Sequence, residues 1–135
     1  MVVSGGGWGV GRVEEAVRTA LRVPATRVVC ITGRNERLQR RLQALFAAEE
    51  RVKVVGFTTR MSELLAAADA LIDTTVGVTC LEALTRGCRV IVYGAPPGHS
   101  RDSARALARL GLGEAAWSSA ELERLLHGLE RAEPL

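Results

Sequence analysis

Apolar residues fall along this chain in two alternating rhythms. Short, nearly unbroken apolar runs at residues 2–4, 27–33, 52–57, 70–73, 89–93 and, more weakly, 115–117 predict strands buried on both faces. Between them the spacing becomes helical. Val13, Ala16, Val17, Ala20 and Leu21 share one face, as do Leu38, Leu42, Leu45 and Phe46, and then Met61, Leu64, Leu65 and Ala68. Val78, Leu81 and Leu84 form a shorter stripe, which Gly87 is suited to stop in the left-handed conformation. Leu107 and Leu110 mark a fifth helix. Leu122, Leu125, Leu126 and Leu129 mark a sixth, opened by a capping box of Ser118 and Glu121.

Six strands alternating with six helices predict right-handed βαβ units. The fold class is therefore α/β, a Rossmann-like doubly wound parallel sheet of about six strands with helices on both faces. No repeat or linker divides residues 1–135, which read as a single domain. In such sheets ligands bind beyond the carboxyl ends of the strands, near the point where strand order reverses. The loops after each strand are where chemistry is sought.

Composition narrows the choices. With 47% apolar and 24% charged residues, the chain has the make-up of a globular domain and not of a disordered one. No apolar run approaches the roughly 18 residues of a membrane span, and Met1-Val2-Val3 is too short for a signal peptide. The net charge is only +3, and Lys53 is the sole lysine among the basic residues. The arginines are scattered over helical faces among glutamates, with no like-charge run, so no nucleic-acid partner is expected. Cys30, Cys80 and Cys88 make no CxxC and no Cys/His spacing, which fits structural thiols in a reducing, cytoplasmic compartment. No ligand cluster asks for a metal.

Strand one runs into Ser4-Gly5-Gly6-Gly7-Trp8-Gly9-Val10-Gly11 and then a helix. Five glycines let backbone N–H groups close on an anion at the positive helix end, where a tight turn alone needs one or two. The GxGxxG fingerprint is not in register, and no Gly-Lys-Ser/Thr follows. Strand two ends Thr32-Gly33-Arg34, without the acid that holds a ribose in NAD sites. After strand three, in Gly56-Phe57-Thr58-Thr59-Arg60-Met61, Phe57 is either a core residue at a strand end or an exposed ring able to cap a base. Arg60 opens a helix where the dipole disfavours a cation; it is either solvated or reaches an anion in the cleft. After strand four, Glu82 stands one turn into a helix, either as a partner of the helix dipole or as an acceptor for both ribose hydroxyls. After strand five, Pro96-Pro97-Gly98-His99 makes a stiff loop whose histidine is either solvated or a donor to a diphosphate or sugar. His127 is assigned no role.

Taken in order, these loops resemble the C-terminal domain of GT-B glycosyltransferases of family 28. That family includes the peptidoglycan N-acetylglucosaminyltransferase and the monogalactosyldiacylglycerol synthases. The resemblance rests on the glycine run of residues 4–11 and on Gly56-Phe57-Thr58-Thr59-Arg60-Met61. It rests also on Ala67-Ala68-Asp69 through Thr79 with Glu82-Ala83-Leu84 and Arg86-Gly87, and more weakly on Pro97-Gly98. It implies a domain that binds a UDP-hexose donor. Gly6, Gly7 and Trp8 would meet the diphosphate, Phe57 would lie against the uracil, and Thr58 backbone groups would read its edge. Glu82 would hold the ribose hydroxyls, and the turn Val76-Gly77-Val78-Thr79 would approach the phosphates. Gly98 and His99 would stand at the donor sugar. No cofactor is implied, the UDP-sugar being the donor substrate.

Two departures accompany the resemblance. The family usually has a Gly/Pro-rich turn before the threonine and Pro-Gly-Gln-Glu with a later Asn. Here the positions read Thr74-Thr75-Val76-Gly77, and Pro97-Gly98-His99-Ser100 with Ser103. The family also carries its acceptor site on an N-terminal domain, for which a chain with strand one at residues 2–4 has no room. An acceptor-binding domain from a longer enzyme or a separate partner subunit is therefore expected to complete the site. Peripheral contact with the inner membrane face would come through it. The expected reaction is hexose transfer from UDP-sugar to a lipid or other acceptor by direct displacement, with no transfer by this domain alone. The alternatives are a non-catalytic subunit or pseudo-glycosyltransferase scaffold and, from Arg34 after strand two, an NADP-binding oxidoreductase domain.

Overall fold

The apolar runs assemble into one parallel sheet in strand order β3-β2-β1-β4-β5-β6. A computed structural model describes residues 1–9 and 11–131; Val10 and residues 132–135 lie outside the described residues, as do the side chains of Glu130 and Arg131. In chain order the elements are β1 (Val2–Ser4), α1 (Val13–Leu21), β2 (Val28–Ile31), α2 (Glu36–Leu45), β3 (Val52–Val55) and α3 (Met61–Ala67). They continue with β4 (Ala70–Asp73), α4 (Val78–Thr85), β5 (Arg89–Tyr93), α5 (His99–Arg109), β6 (Glu114–Ala116) and α6 (Ser119–Arg131). A single 3-10 turn, Gly6–Trp8, lies between β1 and α1. This is the predicted doubly wound architecture.

Alternation along the strands feeds two cores. Val3, Ile72, Ile91 and Tyr93 point to the face covered by α1, α2 and α6, where they meet Val13, Val17, Leu42, Leu122 and Leu126. Their neighbours Val2, Leu71, Val90 and Val92 point the other way, toward Leu65 of α3, Cys80 of α4 and Ala104 of α5. Strand order reverses between β1 and β4. There Ser4 is paired with Ile31 on one side and Asp73 on the other, and the Thr74 N–H donates to the Ser4 carbonyl at 3.0 Å.

Several boundaries differ from the apolar runs for local reasons. β2 is shorter than residues 27–33 because Gly33 turns at φ +62° beyond the last ladder bond, from the Thr32 N–H to the Val55 carbonyl. β3 stops at Val55, and Gly56 and Phe57 leave the sheet. The sixth strand sits one residue earlier than 115–117. The expected stops and starts are present: at Gly87, the Cys88 N–H reaches the Ala83 carbonyl at 2.9 Å and the Gly87 N–H the Leu84 carbonyl at 3.2 Å. At α6, Ser118 Oγ accepts from the Glu121 N–H at 3.2 Å, while Glu121 reaches back to the Trp117 N–H. Among the described residues no helix is long and apolar enough to cross a membrane.

Candidate functional site

The end of β1 delivers the chain into the glycine-rich loop, and that loop is packed against the turn after β2. A Cβ on Gly33 would stand 2.7 Å from the Gly6 carbonyl oxygen and closer still to the Gly7 carbonyl. A Cβ on Gly9, at φ +59°, would stand 2.6 Å from the Thr32 carbonyl oxygen. Close backbone approach therefore explains part of the glycine run without any ligand. Gly7 is different: it is exposed and faces open space.

Beside this loop lies a cleft of about 140 Å³ at the carboxyl ends of the strands. Of the residues singled out in the sequence, Gly6, Gly7, Phe57, Thr58, Thr79 and Glu82 line it together. Ser4, Ile31, Gly33 and Met61 complete the lining, and none of these four was foreseen as a site residue. Gly33 carried a readable signal, a glycine directly after a strand; the other three did not. Wider, shallower depressions near α1–α2 and α5–β6 contain none of the singled-out residues.

The remaining singled-out residues stand outside the lining. Trp8 is the last residue of the 3-10 turn and 68% exposed. Gly77 and Val78 are exposed at the start of α4, Val78 by 70%. Gly98 and His99 are exposed where α5 begins, and Gly98 takes φ +102°.

Phe57 is 56% exposed, so it is not a core residue at the strand end. The Arg34 guanidinium carbon lies 4.2 Å from its ring centroid. Thr58 Oγ1 accepts from the Arg60 N–H at 3.0 Å and so closes the turn that leads into α3, which has no side-chain cap of its own. The Arg60 guanidinium turns to Glu63 within the same helical turn, at 2.6 Å, and takes no part in the cleft lining.

The turn leading to Thr79 and Glu82 is fastened from below by Asp73, which is wholly buried. Its Oδ1 accepts from the Thr75 N–H at 3.0 Å and from the Thr75 hydroxyl at 3.2 Å, and its Oδ2 accepts from the Cys80 thiol at 3.0 Å. Burial raises the Asp73 carboxyl above its ordinary range although these donors pull the other way. No side chain caps the first turn of α4. The Cys80 N–H donates to the Gly77 carbonyl at 3.1 Å, which leaves the N–H groups of Val78 and Thr79 and the positive end of the dipole for an anion near Thr79. Glu82 makes no side-chain hydrogen bond or ion pair with another described residue, so its carboxylate is free to accept. Among the described residues, no three His, Cys, Asp or Glu side chains stand together to hold a metal ion.

A processive diacylglycerol beta-glucosyltransferase of Staphylococcus carnosus (strain TM300) is 29% identical over 135 residues, covering 98% of this chain and 34% of the relative. The enzyme of that name from Staphylococcus saprophyticus is 31% identical over 121 residues, covering 86% of this chain and 30% of the relative. The chain thus spans about a third of the length of these relatives. Among solved structures, a glycotransferase of kitacinnamycin superposes with a TM-score of 0.72 at 17% identity, over 97% of this chain and 34% of that one. WaaG, a glycosyltransferase involved in lipopolysaccharide biosynthesis, superposes with a TM-score of 0.70 at 20% identity, over 96% and 38%. At such identity these structures share the fold. The sequence match is more specific, because the family model described as the glycosyltransferase family 28 C-terminal domain matches residues 1–133, and the chain belongs to that family.

Proposed function

We propose that this domain holds the nucleotide of a UDP-hexose while the hexose passes to a lipid acceptor. The observation that carries the reading is the convergence of Gly6, Gly7, Phe57, Thr58, Thr79 and Glu82 on one cleft where strand order reverses. In this reading the diphosphate lies between the glycine loop and the open end of α4. Phe57 supports the uracil, Thr58 backbone groups meet its edge, and Glu82 accepts from the ribose hydroxyls. The exposed Trp8, Gly77 and Val78 border the phosphates, and Gly98 and His99 face the donor sugar when a second domain closes over them.

The chemistry is displacement at the anomeric carbon by an acceptor hydroxyl, with the bond to the diphosphate oxygen breaking. Negative charge then grows on that oxygen, where in this reading the unbonded backbone N–H groups of the loop and the first turn of α4 stabilise it, the Gly6 N–H being already donated to Ser4 Oγ at 3.2 Å. The acceptor site and its base come from another domain, in the same polypeptide or in a partner subunit. The relatives are named diacylglycerol glucosyltransferases, which favours a lipid acceptor. No cofactor beyond the sugar nucleotide enters this reading.

Titrating UDP while following Trp8 fluorescence tests it, with a millimolar or tighter dissociation constant expected. No response at millimolar UDP, with the circular dichroism of the fold intact, overturns it. One observation favours the scaffold alternative: Gly98 and His99 stand outside the cleft. A scaffold binds neither UDP nor UDP-glucose, whereas a donor domain binds both. The oxidoreductase alternative requires NADPH to displace UDP; its arginine, Arg34, lies against Phe57.

A further inference from the structure

We propose that Arg34 makes the cleft selective for the diphosphate, by covering the Phe57 ring while the site is empty and moving to the phosphates when a base stacks there. This rests on the nucleotide reading of the cleft.

The root of Arg34 is fixed on the phosphate side. Its N–H donates to the Gly7 carbonyl at 2.7 Å, and the preceding Gly33 packs against Gly6 and Gly7 too tightly for a Cβ. The next residue, Asn35, caps α2 by accepting from the Leu38 N–H at 3.0 Å, so the corner is held from both sides. The side chain does not line the cleft itself but lies over the ring of Phe57, which does, with its guanidinium carbon 4.2 Å from the centroid. One residue spans both the loop assigned to the diphosphate and the ring assigned to the base.

The charge of Arg34 is otherwise unused. Arg18, Arg41, Arg51, Arg60 and Arg89 each meet a carboxylate. The Arg34 guanidinium has no ion pair or side-chain hydrogen bond among the described residues, which leaves all its donors for a ligand. At 4.2 Å no base fits between the guanidinium and the ring, so a base taking that face displaces it. An exposed cation–π contact is worth only about two- to fivefold in an equilibrium. A charge-assisted hydrogen bond to phosphate is worth about tenfold or more. Displacement therefore works against a bare nucleoside and is more than offset when a diphosphate arrives with the base.

The test uses the full chain, wild type and the variants Arg34→Ala and Arg34→Lys. Thermal melts check the fold, UDP titrations give affinity, and ligand-observed NMR reads millimolar uridine. Arg34→Ala is expected to weaken UDP by about two- to fivefold or more, the lost phosphate bond less the displacement no longer needed, while binding uridine about two- to fivefold tighter. Arg34→Lys, which keeps a cation, is expected to hold UDP within about threefold of wild type. Equal losses for uridine and UDP, an unchanged UDP affinity in Arg34→Ala, or uridine invisible to both proteins would each overturn the inference and leave the UDP site standing. Wild-type protein that binds no UDP overturns the nucleotide reading and the inference together.

Discussion

Gly33 and Gly87 both turn the backbone at positive φ, +62° and +72°, but their surroundings differ. A Cβ on Gly87 meets nothing within 4 Å, so Gly87→Ala is expected to cost only the left-handed penalty, about 1–2 kcal/mol. Gly33→Ala must also drive apart the Gly6 and Gly7 backbone and is expected to cost about 3 kcal/mol or more. Urea denaturation of the two variants measures the difference, and equal losses would contradict the packing account. Sequence could not reveal the job of Gly33, because it depends on a loop arriving from another strand. Phe57 was legible as an alternative, and its exposure decided between a core ring and a free one. Glu82 was legible by its place on α4, and its role awaits a ligand. If it holds the ribose, 2′-deoxy-UDP binds wild type about tenfold more weakly than UDP, and Glu82→Ala abolishes that difference while inorganic phosphate binding is unchanged.

At the scale of elements, β1, β4 and β5 begin and end where their apolar runs do, since polar residues or turns close each run abruptly. β2 and β3 lost residues at their carboxyl ends, where the backbone leaves the sheet to build the cleft. These are the places where local pattern yields to the site. The β4–α4 turn depends on a feature no pattern announces, the buried Asp73 beneath it. Its carboxyl is raised in the folded state, chiefly by burial, so the native protein binds that proton more tightly than the unfolded chain. Its contribution to stability is thus fully present below the ordinary value of 3.8 and is lost as pH rises through the raised native value. Asp73→Asn removes that titration and leaves the amide oxygen to accept from Thr75. The stability of the variant relative to wild type should therefore climb across this window. Urea midpoints between pH 3 and 7 read the slope, and a constant difference would show that Asp73 does not titrate as the fold requires.

Over the whole molecule, both cores hold groups that are reluctant to ionise. Cys30, Cys80 and Cys88 are buried free thiols, and burial pushes Cys30 from 9.0 to about 12. Tyr93 moves from 10.0 to about 12, first by burial and then through its hydrogen bond to Glu15. All are raised, so their contribution is present below about pH 9 and fades as pH climbs from 9 toward 12. A thiol reagent at pH 8 is expected to find none of the three cysteines quickly in native protein and all three in urea. Rapid labelling of Cys80 in native protein would mean that α4 opens. The central position of β1 also orders assembly in time. During synthesis Val2–Ser4 can pair with β2 early, but its other edge stays unpaired until Ala70–Asp73 has been made. A chain interrupted before β4 leaves a short apolar edge exposed and lacks Thr79 and Glu82 as well. Covering the second edge of β1 and completing the cleft therefore fall within one step, so a chain stopped before it is both prone to aggregate and unable to bind.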